Sequence, residues 1–167
     1  EALGLPSFCR TTGGKGLHVV VPLVPDAGWD AVKPFCRSFA ELMSDEEPQR
    51  FLPTLKKIDR RGRILIDWLR NGLGATAISS YCPRARPVAT VATPLSWDEV
   101  TPKLDAASFT LKSVRQRLAE LKTDPWHNFN VMRQKLPTVA AKSSVAKSER
   151  KSGKSVIVSA QRPKRRA

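Results

Sequence analysis

Residues Arg10-Thr11-Thr12-Gly13-Gly14-Lys15-Gly16-Leu17-His18-Val19-Val20-Val21-Pro22-Leu23 join a hydroxyl- and glycine-rich loop directly to a β-branched apolar run. Such a run has to be a buried strand, here over Val19–Val24. Glycine lets backbone approach a ligand with no Cβ in the way, and successive N–H groups in a turn can converge on an anion. Lys15 would add a charge and Thr12 a hydroxyl to the same phosphate. Two readings stand at this point: a polyphosphate cradle containing Gly13, or a plain tight connection. The loop is not a Walker motif, because the spacing before the lysine is too short and a strand follows. A dinucleotide fingerprint needs the opposite order of strand, glycines and helix.

A second stretch, Lys56-Lys57-Ile58-Asp59-Arg60-Arg61-Gly62-Arg63-Ile64-Leu65-Ile66-Asp67-Trp68-Leu69-Arg70-Asn71-Gly72, bears on that choice. Ile64, Leu65 and Ile66 predict a short buried strand with Asp67 at its carboxyl end and Arg70 three residues on. A carboxylate where a hydrophobic strand emerges suits a metal ion, because the strand fixes it while the next loop leaves coordination sites open. A capping or turn aspartate fits the same spacing. The basic run Arg50–Arg63 reads either as a solvated loop or as a phosphate-facing edge through Lys56, Lys57, Arg61 and Arg63.

Taken together, Thr-Gly-Gly-Lys-Gly-Leu-His-Val, Arg-Ile-Leu-Ile-Asp-Trp-Leu-Arg-Asn, Tyr81-Cys82-Pro83-Arg84-Ala85-Arg86-Pro87, Val91-Ala92-Thr93-Pro94-Leu95 and Trp97-Asp98-Glu99-Val100 resemble the polymerase domain of bacterial ATP-dependent DNA ligase D. That domain belongs to the archaeo-eukaryotic primase superfamily and serves non-homologous end joining. The resemblance runs from about Gly4 to Trp126, in family order and spacing. It implies an α/β (α+β) fold, a mixed sheet with flanking helices, as the carboxyl-terminal portion of the domain.

The resemblance also implies roles. Thr12 stands where the family has serine, and with Gly13, Lys15 and His18 it would line the nucleotide site. Arg70 and Arg84 match arginines that serve the incoming nucleotide, and Arg60 matches a basic position near it. Without the resemblance, His18 reads as a satisfied core histidine and the arginines as solvated surface groups. Asp67 matches the third of three metal-binding aspartates that hold Mn²⁺ or Mg²⁺. The other two, an Asp-x-Asp pair on an upstream strand, have no match in this chain. Glu1-Ala2-Leu3-Gly4-Leu5-Pro6 looks like the end of the helix that follows them, and the first residue is not methionine, which suits a fragment or processed form. Two-metal phosphoryl transfer needs several carboxylates to space the ions. The expected function is therefore nucleoside triphosphate and DNA binding in an end-joining polymerase segment that is not catalytic alone. The alternatives are a non-catalytic DNA-binding remnant, or one half of a split enzyme. DNA, Ku and a ligase module are the partners implied by family context, in a bacterial cytoplasmic, nucleoid-associated setting. No Lys-x-Asp-Gly motif for ligation occurs.

The rest of the chain is read from pattern. At 167 residues it suits one domain. No apolar run reaches membrane-span length and no signal peptide is visible, so no membrane partner is expected. Cys9, Cys36 and Cys82 have no paired ligand spacing and read as reduced thiols. Trp29, Val32, Cys36, Phe39, Leu42 and Met43 recur at helical spacing, with the regular helix expected to start near Val32 because of Pro34. The segment Ala75–Tyr81 is ambiguous, and Val91–Thr93 reads as strand. Ser96 with Glu99 has capping-box spacing. Leu111, Val114, Leu118 and Leu121 mark a second helix, expected to pack on the sheet. Trp29, Trp97 and Trp126 read as packing residues and Trp68 as the one candidate for a base contact. The domain is expected to span 1–136 and to be followed by a disordered basic tail, 137–167. From Lys142 onward that tail carries nine Lys/Arg and one Glu, a net +8, which leaves +6 of the chain's +14 for the folded part.

Overall fold

The computed structural model describes residues 3–137 and 156–161. Strands β1 (Phe8–Thr11) and β2 (Gly16–Val21) form an antiparallel hairpin, with Arg10 opposite His18 and Thr11 opposite Leu17. Helix α1 (Trp29–Glu46) follows, then β3 (Phe51–Leu52), β4 (Ile64–Asp67), β5 (Pro94–Leu95), α2 (Leu111–Glu120) and β6 (Val156–Gln161). The six strands make one mixed sheet in the order β3-β4-β6-β2-β1-β5, in which only β3 and β4 run parallel. The expected fold class, a mixed sheet with flanking helices, is what forms.

Side chains alternate across a strand, and this decides where everything else goes. On β2 the alternation separates Leu17, Val19 and Val21 from Gly16, His18 and Val20. Val21 joins Leu23 and the α1 residues Val32, Phe35 and Cys36 in the core, with Trp68 and Leu136 packed at its margin. Helix α1 therefore covers the odd face of β2. The even face carries Arg10 and His18 as a cross-strand pair. Continuing the register across β6, His18 lies opposite residue 159, and residue 159 opposite Asp67. One row of the sheet thus holds Arg10, His18 and Asp67 on the face away from α1.

Several expectations change. Helix α1 starts at Trp29, with Pro34 in its sixth position. The lead-in is helical because Ala31 and Val32 both donate to the Gly28 carbonyl, at 3.1 and 3.0 Å. Pro34 has no N–H to give to the Asp30 carbonyl four residues back, so α1 forgoes one helical hydrogen bond there. Ala75–Tyr81 is irregular, and the strand near Val91 is confined to Pro94–Leu95 with an isolated bridge at Val91. The Ser96 capping box forms, on a single 3₁₀ turn. Helix α2 buries only Val114, while Leu111 and Leu118 are exposed. It is held instead by Arg117, whose guanidinium donates to both Glu99 carboxylate oxygens at 2.6 and 2.8 Å. Trp68 is a packing residue, not a free platform: its indole donates to the Pro53 carbonyl at 3.2 Å and Arg37 stacks over its ring. The three cysteines are free, and burial raises the Cys9 and Cys36 thiols to about 12.

The largest departure is β6. The composition of the tail argues for disorder, yet Val156–Gln161 enters the middle of the sheet and bonds β2 on one side and β4 on the other. The β-branched run Val156-Ile157-Val158 supplies the strand preference within an otherwise polar tail. The other residues of that tail, apart from Pro137, lie outside the described residues. Ala160 is opposite both Leu17 and Ile66, so its N–H is committed to the ladder whichever way it points. Ala160→Pro is expected to lower unfolding stability by about 1–3 kcal/mol in urea titration, the cost of one buried unmet bond. An unchanged midpoint would show that β6 is not part of the stable sheet.

Candidate functional site

The glycine loop is the turn of the β1–β2 hairpin. Thr12 N–H and its Oγ1 both donate to the Gly16 carbonyl, at 3.0 and 3.1 Å, which closes the turn. The Thr12 hydroxyl is thus committed as a donor, and its lone pairs can still accept. Gly13 has φ +62° and is buried. A Cβ there would lie 2.6 Å from Arg84 Cγ and 3.2 Å from the Thr90 carbonyl, so only glycine fits. Lys15 is exposed at the tip of the loop.

Segment 80–93 docks onto this turn through buried hydroxyls. Thr90 Oγ1 donates to the Gly13 carbonyl at 2.6 Å, and Thr11 Oγ1 donates to the Val91 carbonyl at 3.1 Å while accepting from Thr93 N–H at 2.9 Å. Thr11 N–H donates to the Thr93 carbonyl at 2.9 Å. These bonds fix the carboxyl-terminal end of the loop that carries Arg84 and Arg86. Tyr81 and Ala89 bound that loop in left-handed conformations, φ 60° and 44°, which non-glycine residues seldom adopt. Tyr81 is pinned there by its N–H on the Ala92 carbonyl, 2.6 Å, and its hydroxyl on Asp124 Oδ2, 2.8 Å.

The result is an open cleft of about 520 Å³ lined by Arg70, Thr76, Ile78, Pro83, Arg84 and Arg86, among others, with three guanidinium groups and no carboxylate in its lining. Arg86 reaches the glycine loop: a Cβ on Gly14 would be 3.4 Å from Arg86 Nη2. Sequence reading did not single out Arg86, although its i, i+2 spacing from Arg84 on an extended segment was the available signal. Asp67, at the end of β4, is linked to this cleft through Arg70. It is 5 % exposed, Oδ2 meets Arg70 Nε at 3.3 Å, and Oδ1 is buried with no hydrogen-bond partner among the described residues.

His18 is buried beside these charges, and burial together with Arg10, Arg70 and Arg84 lowers its pKa to about 4. It is neutral at physiological pH. Arg10, also missed in the sequence, is 6 % exposed; Nε donates to His18 Nδ1 at 3.3 Å, Nη1 donates to Ser80 Oγ at 3.1 Å, and the guanidinium lies over the Trp126 ring. Its signal was symmetry, since Arg10 and His18 are equidistant from Gly14 at the centre of the hairpin.

Of the residues named from the sequence, Arg70 and Arg84 line the cleft; Asp67 is joined to it through its pair with Arg70, Gly13 through its close approach to Arg84, and His18 through the electrostatic influence of both arginines. Arg60 is elsewhere: it ends a 3₁₀ turn and donates Nη2 to the Leu55 carbonyl. Lys56, Lys57 and Arg61 are exposed around that turn. Arg63 is spent on carbonyls, donating to Asp59 at 3.0 and 2.6 Å and to Pro48 at 3.3 Å. As for metals, one carboxylate already paired to Arg70 is a poor donor set, and no group of three potential ligands occurs among the described residues. The residues described do not make a two-ion site.

Gly13→Ala tests the docking. Gly62, with φ +73° and open space around it, reports the conformational penalty alone, about 1–2 kcal/mol. Gly13→Ala is expected to exceed Gly62→Ala in thermal unfolding, because it must also displace Arg84. Equal losses would show that segment 80–93 is not held against the turn.

Comparison with known proteins identifies the family. The chain matches the family description "LigD, primase-polymerase domain" over residues 1–126. It is 37 % identical over 137 residues to the multifunctional non-homologous end joining protein LigD of Pseudomonas aeruginosa, covering 81 % of this chain and 16 % of that protein. It is 30 % identical over 119 residues to the bifunctional non-homologous end joining protein LigD of Bacillus subtilis, covering 71 % and 20 %. The chain therefore spans a fifth or less of these curated relatives. Among solved structures, the polymerase domain of Mycobacterium tuberculosis ligase D in complex with DNA superposes with a TM-score of 0.71 at 28 % identity, over 77 % of this chain and 44 % of that one. With its hairpin turn, its strand-end aspartate and its arginine loop in the matched region, the chain belongs to the LigD primase-polymerase domain family.

Proposed function

We propose that this chain forms a triphosphate- and DNA-binding part of an end-joining polymerase domain and does not turn nucleotides over by itself. The observation that carries the reading is the cleft beside the glycine turn, with Arg70, Arg84 and Arg86 in its lining and no acidic side chain. A guanidinium holds phosphate oxygens bidentately, and three of them in one open cleft suit a polyphosphate better than a single anion. In this reading Arg84 and Arg86 clamp the phosphates from one side, and Lys15 and the Thr12–Gly13 backbone close from the other. DNA would follow the exposed edge with Lys56, Lys57 and Arg61, contacts that carry charge and no sequence preference. Arg63 serves that edge indirectly, by tying its 3₁₀ turn to the Pro48 carbonyl. The LigD polymerase domain of M. tuberculosis is itself described in complex with DNA.

In the metal-free chain Asp67 acts on the cleft through Arg70. Its carboxylate neutralises part of Arg70, so it weakens the cleft's attraction for anions until Arg70 is released. In metal-free buffer Asp67→Asn is expected to tighten ATP binding several-fold, and Arg84→Gln to weaken it about tenfold or more, as for a charged hydrogen bond to phosphate. Fluorescence titration with a labelled nucleotide reads both. Weaker binding in Asp67→Asn would place Asp67 on the ligand itself. Primer extension with Mn²⁺ tests the absence of turnover: no incorporation is expected from the purified chain. Incorporation that disappears in Asp67→Ala would overturn this part of the reading and make the chain a working polymerase.

A further inference from the structure

Arg10 is a charged group buried almost completely without a carboxylate: among the described residues it makes no ion pair. Desolvating a guanidinium is costly unless its N–H groups are met, and here they are met selectively. Nη1 is satisfied by Ser80, the ring of Trp126 covers the cation's face, and Nε is aimed at a histidine nitrogen. An arginine Nε can only donate, so the nitrogen it faces has to present a lone pair. His18 Nδ1 is therefore unprotonated, and the proton of the neutral imidazole resides on Nε2.

We propose that Arg10 is a positioning residue that locks His18 as the Nε2–H tautomer, so that the sheet presents a neutral, fixed hydrogen-bond donor on the side of the imidazole away from Arg10. The sheet register supports the direction. Across the row the order is Arg10, His18, residue 159, Asp67, so the ring edge away from Arg10 is the one on the Asp67 side. Asp67, paired to Arg70, ends β4 on that side, and Arg70 and Arg84 both act on the imidazole electrostatically. Three cations around the imidazole, Arg10, Arg70 and Arg84, oppose a second proton, so the donor stays neutral across the physiological range. A protonated histidine would donate from both nitrogens and would repel Arg10; the arrangement holds only for the one tautomer. Its functional half rests on the nucleotide reading above, with Nε2–H donating to a phosphate or sugar oxygen of the bound nucleotide.

The test is nuclear magnetic resonance on the full chain, labelled with ¹⁵N, in the absence of nucleotide. With two histidines in the sequence, His127→Gln assigns the signals. At pH 7.5 His18 is expected to show a protonated Nε2, an unprotonated Nδ1, and a through-hydrogen-bond coupling between that nitrogen and Arg10 Nε. Arg10→Met is expected to convert the single tautomer to an exchanging mixture and to weaken ATP binding about tenfold, with Arg10→Lys recovering part of both. A protonated Nδ1 in the wild type, absence of the coupling, or an undisturbed Nε2–H tautomer in Arg10→Met would overturn the proposal. The coupling is measured on the unmutated chain, so a variant that fails to fold does not remove the test. Should the tautomer stand while the wild type binds no ATP, the nucleotide reading fails and the Arg10–His18 lock does not.

Discussion

The contact on which the site depends is the approach of backbone to backbone at Gly13. Residue 13 has its Cα where any side chain would collide with Arg84 and the Thr90 carbonyl, and the Thr90 hydroxyl spans that gap to the Gly13 carbonyl. Thr11 and Thr93 extend the same seam along β1 with hydroxyls that have lost all access to water. Buried hydroxyls are costly unless satisfied, so each one is a constraint on register as well as a source of stability. The seam turns two distant stretches of chain, a hairpin turn and an irregular loop, into two walls of one cleft. The strained residues Tyr81 and Ala89 mark where the irregular loop is bent to meet it.

Electrostatics then separates the cleft into two layers. The outer layer is exposed arginine, which water screens and which a phosphate can reach. The inner layer is the sheet row of Arg10, His18 and Asp67, where desolvation makes every proton position consequential. Burial depresses His18, and Asp67 keeps one carboxylate oxygen against Arg70 and the other without a partner among the described residues. Among the described residues this row of the sheet holds one carboxylate, Asp67, and it is paired to Arg70. The same sheet explains why the layers are adjacent: α1 occupies one face, so the even residues of β2 have only the other face on which to meet Asp67.

Much of the fold was legible because it is periodic. The strand before Pro22, the helix carrying Val32, Cys36 and Phe39, the short strand ending in Asp67 and the capping box at Ser96 all follow from local pattern. What misled was also local. Pro34 suggested a late helix start because propensity ignores which carbonyl actually loses its partner. Composition suggested that the whole of 137–167 is disordered, yet six of those residues complete a sheet whose two halves need a strand between them. Trp68 looked available because it adjoins Asp67, but alternation sends neighbouring residues to opposite faces, and Trp68 packs toward α1.

The sequence by itself determined the chemistry on offer: a glycine turn with a lysine, a strand-end carboxylate, and arginines at Arg70, Arg84 and Arg86. Family motifs in order were enough to place the chain among LigD primase-polymerase domains, because such motifs are short, contiguous and written in residue types. Only the tertiary structure decided which of those groups meet. Arg60 and Arg63 turn to carbonyls of their own loop, Arg86 joins the cleft, and Arg10 becomes the partner of His18. The physical reason is that the buried threonine seam acts between residues about 80 positions apart. Contacts of that range leave no periodic trace along the chain.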